Sequence, residues 1–286
     1  MSEGARPERR ILCLPGPVRP YDRSGHHDYL AGCRLLADLL NRNQGVRAEV
    51  LAEDWRADED SLEGAASLVF YDKGGGKQSF LDSPASVERL RTLARAGVGV
   101  VLVHQAVGFP TELAEVGCEL VGGVYVPGFS KRGHWPSHHE NFPEHAITRG
   151  VEPWASDDGW LHRIRFVEGL AGVEPLVRAG RREPGHDDGN IDDVVAWAYT
   201  RPEGGRAFCF TGIDAHSAWN AAGLRRLMVN GVLWSAAAPV PDGGAPIDLD
   251  ATSLRDYLTP RRSPAMRPLY LARKAIRMTL NRARSW

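Results

Sequence analysis

An uninterrupted apolar run from Val98 to Val103 is the feature that most constrains the fold of this 286-residue chain. The run contains only valine, glycine and leucine, without the polar alternation of a strand that has one face in water. Such runs are typical of strands covered on both faces in parallel sheets. The run ends at His104, and ligands bind at the carboxyl ends of strands in open parallel sheets. We therefore predict that His104 lies at a functional site.

The order of apolar segments along the chain predicts an α/β fold. Strand-like segments alternate with amphipathic helical patterns in the first half, which indicates βαβ units and a parallel sheet. The second half is richer in strands, and residues 202–205 predict a hairpin turn. The predicted strands are residues 11–14, 46–51, 67–71, 98–103, 159–167, 173–178, 194–200 and 206–211, and the predicted helices are residues 28–41, 84–96 and 219–237.

Composition narrows the class of protein. A chain with 43% hydrophobic residues can bury one large α/β core. No apolar run reaches the roughly 18 residues that a membrane span needs, and the first ten residues are polar, so we expect a soluble, cytoplasmic protein. The four cysteines form no CxxC pair, which predicts buried free thiols rather than disulfides or a zinc knuckle.

The net charge of −1 conceals a basic tail. Residues 261–286 carry eight basic and no acidic side chains, whereas residues 1–260 carry 27 basic and 36 acidic ones. Apolar residues recur at helical spacing in the tail, which predicts a cationic amphipathic helix that docks on the acidic body, a partner, a second subunit or an anionic membrane surface. We predict a disordered segment at residues 1–8, one α/β domain at 9–239, and a linker with this helix at 240–286.

Three blocks of sequence carry a family resemblance. They are Leu102-Val103-His104, the stretch EHAITRGV at 144–151, and a closing block made of 194–197, 205–208, 211–212 and 224–234. In order and spacing they resemble the ThuA-like (trehalose utilisation) family over roughly residues 9–239. The resemblance implies a flavodoxin-like, class I glutamine amidotransferase-like fold, a mostly parallel sheet flanked by helices, here with antiparallel additions in the second half.

The chain departs from the family and from true amidotransferases at positions that bear on chemistry. Amidotransferases hold a nucleophilic cysteine at a strained strand-to-helix elbow. His104 stands near that place with no cysteine within ten residues, so we expect no glutaminase activity. Gln105 replaces the family's serine, Ala146 its proline, and Ile213 and Asp214 stand before a displaced His216. Asp157 and Asp158 correspond to the family's acidic pair, with Trp160 near its aromatic position.

Histidines concentrate in the segments expected at the carboxyl edge of the sheet. They are His26, His27, His104, His216 and, in a long middle loop, His134, His138 and His139. Imidazole and carboxylate ligands suit zinc, manganese or iron. A divalent metal is therefore compatible with the sequence, with His104, His138, His139 and His216 as candidate ligands, although no HExxH spacing is present. For His138 and His139, a solvated loop is the better explanation.

Two functions of different classes fit these residues. The first is an enzyme, a carbohydrate-active isomerase, lyase or hydrolase, acting on a sugar or sugar-like keto-glycoside, because the family is associated with disaccharide catabolism. His104 or His216 would be the general base, with Asp158 as its partner or as a metal ligand. The expected substrate-binding residues are His27, Gln105, Trp160, Asp214 and Trp219.

The second function is a non-catalytic small-molecule-binding or scaffolding module on the same fold. In that case His104 would hold the end of its strand, and the tryptophans would belong to the core instead of stacking on a sugar ring. A homo-oligomer is compatible with either function. Nothing in the sequence indicates specific recognition of nucleic acid.

Overall fold

The computed structural model describes residues 8–17, 25–51, 60–180, 191–249 and 253–260. Eleven strands lie in this part of the chain. In chain order they are β1 (Arg9–Pro15), β2 (Val46–Val50), β3 (Ala65–Tyr71), β4 (Gly99–Val103), β5 (Gly123–Val124), β6 (Lys131–His139), β7 (Trp154–His162), β8 (Arg165–Phe166), β9 (Val173–Arg178), β10 (Val194–Thr200) and β11 (Arg206–Phe210).

Seven of these strands form one sheet in the order β2-β1-β3-β4-β11-β10-β9. The strands from β2 to β11 run parallel to their neighbours, whereas β10 pairs antiparallel with both β11 and β9. The sheet is therefore mostly parallel, with its antiparallel strands from the second half of the chain. This confirms the predicted fold class.

Four α-helices cover the two faces of the sheet: α1 (Tyr29–Leu40), α2 (Pro84–Arg95), α3 (Ala114–Val121) and α4 (Ala222–Ser235). Alternate residues of the strands point to opposite faces, so β1 sends Ile11 and Cys13 into one core and Leu12 and Leu14 into the other. The first core packs under α1 and α4, and the second under α2 and α3. Because β4 is buried at every position, it matches the apolar run that predicted it.

The long middle segment is not the loop that the sequence suggested. Residues 131–139 form β6, which pairs with β7 in an antiparallel hairpin, so His134, His138 and His139 lie on a strand. Side chains of β6 alternate between the two faces, with Trp135, Ser137 and His139 buried and Pro136 and His138 exposed. The pattern was hard to detect because polar residues occupy buried positions of the strand.

Two other boundaries differ from the prediction for local reasons. The strand predicted at 159–167 divides into β7 and β8, because Arg163 between them has a φ of 52° that no strand accommodates. Helix α4 begins at Ala222 instead of residue 219, because His216–Asn220 forms a 3₁₀ turn before it. The remaining strand predictions agree with the structure to within two residues.

The basic tail and the extreme N-terminus lie outside the described residues, so the predicted C-terminal helix and N-terminal disorder stay predictions. All four cysteines are buried and free, as predicted. Within the described ranges, none of the helices combines the length and apolarity that crossing a membrane would require.

Candidate functional site

Three side chains converge at the carboxyl edge of the sheet. His104 follows β4 directly, Asp214 lies four residues after β11, and His27 ends the loop between β1 and α1. Oδ1 of Asp214 lies 2.9 Å from Nε2 of His27 and 3.4 Å from Nε2 of His104. Their potential ligand atoms all lie within 4.8 Å of one another. We call these three residues the His-Asp cluster.

The position of His104 is set by the strands on either side of it. Val103, at the end of β4, is paired with Tyr71 of β3 and with Phe210 of β11. The residue after Phe210 is Thr211, and its carbonyl oxygen lies 3.0 Å from Nδ1 of His104. Because a carbonyl oxygen only accepts hydrogen bonds, Nδ1 carries a hydrogen and donates it. In the neutral ring, Nε2 then has its lone pair directed at the cluster.

The Nε2 atom of His104 is buried and unsatisfied. The residue is 3% exposed, and the atom forms no hydrogen bond within the described ranges. It faces Asp214 Oδ1 at 3.4 Å, but without the alignment of a hydrogen bond. Buried polar atoms without partners are uncommon and often mark functional positions.

His27 is attached to Asp214 through the backbone as well as the side chain. Its amide N–H donates to the Asp214 carbonyl at 3.0 Å, and His26 forms an isolated β-bridge with Ala215. The Gln105 side-chain nitrogen lies 3.0 Å from His27 Nε2, and Tyr29 donates to the other atom of that amide at 3.5 Å. The loop before α1 and the loop after β11 are therefore tied together at the site.

Asp158 supports the cluster from β7. Its carboxylate accepts the backbone N–H groups of Ile213 at 2.6 Å, Asp214 at 2.9 Å and Gly159 at 2.8 Å. Both oxygens are thus committed to the backbone that presents Asp214. Burial raises the pKa of Asp158, and this effect is opposed by His104 and by the three amides. Asp158, which the sequence suggested as catalytic, is therefore a positioning residue.

Asp214 is held in its ionised form. Burial alone would favour the neutral acid, but the close imidazoles of His104 and His27 outweigh it and place the pKa of Asp214 well below its usual range. His26 adds a further contact, with Nδ1 at 3.6 Å from Asp214 Oδ2. A carboxylate that stays charged beside two imidazoles can orient them, stabilise their protonated forms or bind a cation.

Backbone strain is concentrated at this site. Among the described residues, six other than glycine have positive φ, and three of them are His27 at 47°, His104 at 56° and Ile213 at 68°. A left-handed conformation is especially unfavourable for a β-branched residue such as Ile213. Strain of this kind persists where the surrounding structure enforces it, typically at functional sites. His104 thus occupies a strained position directly after β4, as the first residue of a 3₁₀ turn.

Several predicted site residues do not reach the cluster. His216 is buried with Nε2 3.1 Å from the Leu254 carbonyl, and burial lowers its pKa. His139 is buried with Nδ1 3.0 Å from the Arg178 carbonyl, and its neighbour His138 is exposed on the opposite face of β6. None of the three joins the group of potential metal ligands found in the described residues. The sequence could not separate them from His104 because all follow or lie within segments near the same edge.

The structure places the tryptophans in the core, the alternative to sugar stacking that the sequence left open. Trp160 and Trp219 are both completely buried, so neither offers a ring face to a ligand. The Trp160 indole donates to the Trp135 carbonyl at 3.0 Å, and its ring packs edge-on against Phe210. Trp160 thus packs at the junction between the β6–β7 hairpin and the sheet, and Trp219 is buried in the 3₁₀ turn before α4. Of the five expected substrate-binding residues, the structure places His27, Gln105 and Asp214 at the cluster.

The thiols of the chain are unsuited to nucleophilic catalysis. Burial raises the pKa of Cys13 to about 12 and that of Cys118 to about 11, and it places the pKa values of Cys33 and Cys209 well above their usual range. Reactive cysteines need a lowered pKa and some exposure. No cysteine of this chain meets that requirement.

An open groove of about 480 Å³ adjoins the cluster on the side of His26. Its lining includes polar side chains from three separate loops: His26, Ser217, Asn220, Ser253 and Arg255. The volume lies within the range of small-molecule sites. His26, which lines the groove, lies 3.6 Å from Asp214 and so stands between the groove and the cluster.

Two contributors to the site could not have been found in the sequence. Tyr71, at the end of β3, donates its hydroxyl to the Ile213 carbonyl at 2.5 Å, and Thr211 contributes only a main-chain oxygen to His104. Backbone contacts of this kind leave no residue signature. The tyrosine offers only the weak signal of an aromatic hydroxyl at a strand end.

Comparison with known proteins relates this chain to a protein family. The sequence matches the ThuA family model, described as trehalose utilisation, over residues 20–235. No curated protein has significant sequence similarity to the chain. A putative ThuA-like protein from Bacteroides uniformis ATCC 8492 has a similar structure, with a TM-score of 0.59 and 13% identity over 82% of this chain and 94% of that one.

Two further solved structures are similar. A putative ThuA-like protein from Parabacteroides merdae ATCC 43184 gives a TM-score of 0.56 with 14% identity, covering 85% of this chain and 96% of that one. The glutaminase domain of Trypanosoma brucei CTPS gives 0.47 with 12% identity, covering 85% and 100%. The likeness to the two ThuA-like structures is one of fold.

Proposed function

Since the chain belongs to the ThuA (trehalose utilisation) family, we propose that it acts on a sugar or sugar-like small molecule, with keto-glycosides as the favoured substrates, by histidine-based acid/base chemistry. The observation that carries the proposal is the convergence of two imidazole Nε2 atoms on one carboxylate oxygen of Asp214. The family description supports the substrate class, and the cluster supports the type of chemistry.

His104 is the proposed base. Its Nδ1–H is committed to the Thr211 carbonyl, so the lone pair for proton abstraction is on Nε2, inside the cluster. Asp214 would stabilise the imidazolium that forms when Nε2 takes a proton. An orienting group on one nitrogen and a carboxylate near the other is a suitable environment for a general base.

His27 is the proposed second proton carrier. It contacts the same oxygen of Asp214 from the opposite loop, and its ring centroid lies 5.4 Å from that of His104. A hydrogen beside a carbonyl group could leave to one imidazole and return from the other, which is the requirement of an isomerisation or elimination. The groove beside His26 would hold the rest of the substrate through hydrogen bonds, because no tryptophan face is available there.

The proposed activity is not a glutaminase activity. The elbow carries an imidazole, which cannot replace a thiolate in the acyl intermediate, and all four thiols are buried. The alternative is a non-catalytic binding or scaffolding module. The hydrogen bond from His104 to the Thr211 carbonyl favours this alternative, because it gives His104 a structural role in holding the end of β4 in place.

Hydrogen exchange in the substrate tests the proposal whichever product the reaction forms. A keto derivative of methyl glucoside is incubated with the protein in D₂O, and deuterium incorporation beside the carbonyl is followed by NMR. We expect exchange with the wild-type protein and a loss of at least about 100-fold in His104→Ala, the lower end of the usual contribution of general acid/base catalysis.

The matched control is His138→Gln, which changes an exposed histidine on β6 and should exchange at the wild-type rate. Circular dichroism and thermal unfolding establish that His104→Ala is folded. Full exchange activity in folded His104→Ala would exclude the proposed base. Calorimetric binding of the keto sugar without any exchange in the wild-type protein would favour the binding module.

A further inference from the structure

We propose that the His-Asp cluster is a binding site for one divalent transition-metal ion, held by Nε2 of His27, Nε2 of His104 and the carboxylate of Asp214. This ligand set differs from the one expected from sequence, since it replaces His138, His139 and His216 by His27 and Asp214. The inference rests on the site of the proposed function and competes with it, because an ion bound to the two Nε2 atoms would occupy the lone pairs that proton transfer needs. Metal binding and proton exchange are therefore measured separately.

The first support is the assignment of hydrogens around His104. Its Nδ1 donates to the Thr211 carbonyl, so Nε2 in the neutral ring is a bare lone pair. That lone pair faces a carboxylate oxygen at 3.4 Å in a buried environment and has no hydrogen-bond partner among the described residues. Two electron-rich atoms in this arrangement repel each other unless a positive charge lies between them. A metal ion supplies that charge and satisfies the buried nitrogen.

The second support is the position of His27, whose Nε2 lies 2.9 Å from Asp214 Oδ1. An imidazole nitrogen has one in-plane lone pair, so Nε2 binds an ion only when it neither carries a hydrogen nor accepts one from the Gln105 amide, whose nitrogen lies 3.0 Å away. An ion at the cluster would therefore displace the Gln105 contact and take His27 Nε2 as its second nitrogen ligand.

The third support is the spacing of the ligand atoms. Metal bonds of about 2.0–2.1 Å to nitrogen and oxygen give separations of roughly 2.8–3.4 Å between neighbouring ligands in octahedral or tetrahedral sites. The two contacts to Asp214 Oδ1, 2.9 and 3.4 Å, lie within that range. All three ligand atoms lie within 4.8 Å of one another, so an ion needs only small side-chain adjustments.

The surroundings of the ligands fit a metal site. Metal-binding histidines usually donate their other N–H to a carbonyl or carboxylate, as His104 does to Thr211. The Asp214 loop is likewise fixed, by the amide contacts of Asp158. Three protein ligands leave coordination positions open for substrate or water, which is typical of catalytic zinc and of two-histidine, one-carboxylate iron sites. The donor set suits zinc, iron or manganese.

Metal titration of the untagged protein tests the inference. The protein is stripped with a chelator, and ZnCl₂, MnCl₂ and ferrous iron are titrated separately by calorimetry, the last without oxygen. We expect one saturable ion per chain for at least one metal. Asp214→Asn and His27→Gln should each weaken binding by at least about 100-fold, because loss of outer-shell partners alone costs 10–100-fold.

His138→Gln is the control, since it removes an exposed imidazole from the same chain and should leave the affinity unchanged. Circular dichroism verifies that the cluster variants are folded. Two results would overturn the inference: no saturable binding of any of the three ions, or equal affinity in folded Asp214→Asn, His27→Gln and wild-type protein.

The two hypotheses fail in different ways. Saturable binding that depends on Asp214 and His27, without deuterium exchange in any keto sugar, supports the metal site and contradicts the proposed reaction. Exchange that depends on His104 in metal-stripped protein, with no binding of added metal, supports the reaction and overturns the metal site.

Discussion

At the scale of the residue, the role of each side chain in the site depends on which of its atoms already form hydrogen bonds. His104 has one nitrogen committed to a carbonyl and one left for chemistry, whereas both oxygens of Asp158 are committed to backbone amides. Asp214 differs from Asp158 because its carboxylate faces side chains. The sequence identified all three residues, but only the hydrogen bonds separate the proposed base, the carboxylate beside it and the residue that positions that carboxylate.

Replacement of Asp158 by asparagine tests its positioning role. The amide has only one acceptor oxygen, so an NH₂ group must face at least one backbone N–H of Gly159, Ile213 or Asp214. We expect Asp158→Asn to lower the free energy of unfolding by about 1–3 kcal/mol in urea titrations. Metal affinity should fall by about 10–100-fold, as for other outer-shell changes.

The neighbouring Asp157 provides a control on the same strand. Its side chain is 66% exposed, so Asp157→Asn should change neither the free energy of unfolding nor metal affinity measurably. An Asp158→Asn protein with wild-type stability and metal affinity would mean that the Ile213–Asp214 turn does not depend on this carboxylate.

At the scale of the element, the sequence predicted the parts of the fold whose burial follows a simple pattern. Strand β4 is buried on both faces, and its continuous apolar run signalled it directly. The sequence did not predict strand β6, because two of its buried residues, Ser137 and His139, are polar. Helix α3, with eight residues, also went unpredicted, since two turns give too little periodicity to detect.

The same limits explain how much of the candidate site the sequence predicted. Strand ends can be located in a sequence, so His104 was placed correctly at the carboxyl edge. The convergence of His27 and Asp214 on it depends on contacts between residues far apart in the chain, such as the His27 amide with the Asp214 carbonyl. Burial of Trp160 depends on how the β6–β7 hairpin packs, which no local pattern encodes.

The β6–β7 hairpin should be sensitive to acid through His139. Its Nδ1 lies 3.0 Å from the Arg178 carbonyl of β9, and its Nε2 lies 3.3 Å from the Ser156 hydroxyl. Burial lowers the pKa of His139 from 6.5 to about 4. Between these two values the unfolded chain binds a proton that the folded chain does not, so stability falls as the pH decreases through this window.

We expect this one residue to remove roughly 2 kcal/mol of folding free energy between about pH 7 and pH 5, from the linkage of pKa to stability. Urea titrations at both values measure the change, and His139→Gln should have a smaller pH dependence than the wild-type protein. His138→Gln, its exposed neighbour, should retain the wild-type dependence. The same pH dependence in His139→Gln and wild-type protein would assign the acid sensitivity to other groups.

At the scale of the whole molecule, the sheet brings together segments that are distant in sequence. Loops after β1, β4 and β11 meet at one edge because parallel strands present all their carboxyl ends there. The segment 253–260 then returns to the start of α1, where the buried carboxylate of Asp28 accepts the Thr259 hydroxyl at 2.6 Å and the Thr259 amide at 3.0 Å. Asp28 directly follows His27, so this late segment supports the loop that carries a cluster residue.

Removal of the Thr259 hydroxyl should therefore lower the free energy of unfolding and have only a small effect on the affinity of the cluster for metal. Thr259→Val keeps the shape of the side chain but leaves one oxygen of a buried carboxylate without that donor, which should cost about 1–3 kcal/mol in the free energy of unfolding. The affinity of the cluster for metal should change by less than the effect of His27→Gln, because the Asp214 carbonyl holds the His27 backbone independently.

Thr259→Ser retains a hydroxyl and is the matched variant, expected to recover most of the stability lost in Thr259→Val. Urea unfolding and metal titration of both proteins separate the two roles of the segment. Equal stability of Thr259→Val and wild-type protein would show that segment 253–260 rests on α1 without stabilising it. A loss of metal affinity as large as that of His27→Gln would instead show that the His27 loop depends on Asp28 more than on the Asp214 backbone. Segment 253–260 would then be part of the site.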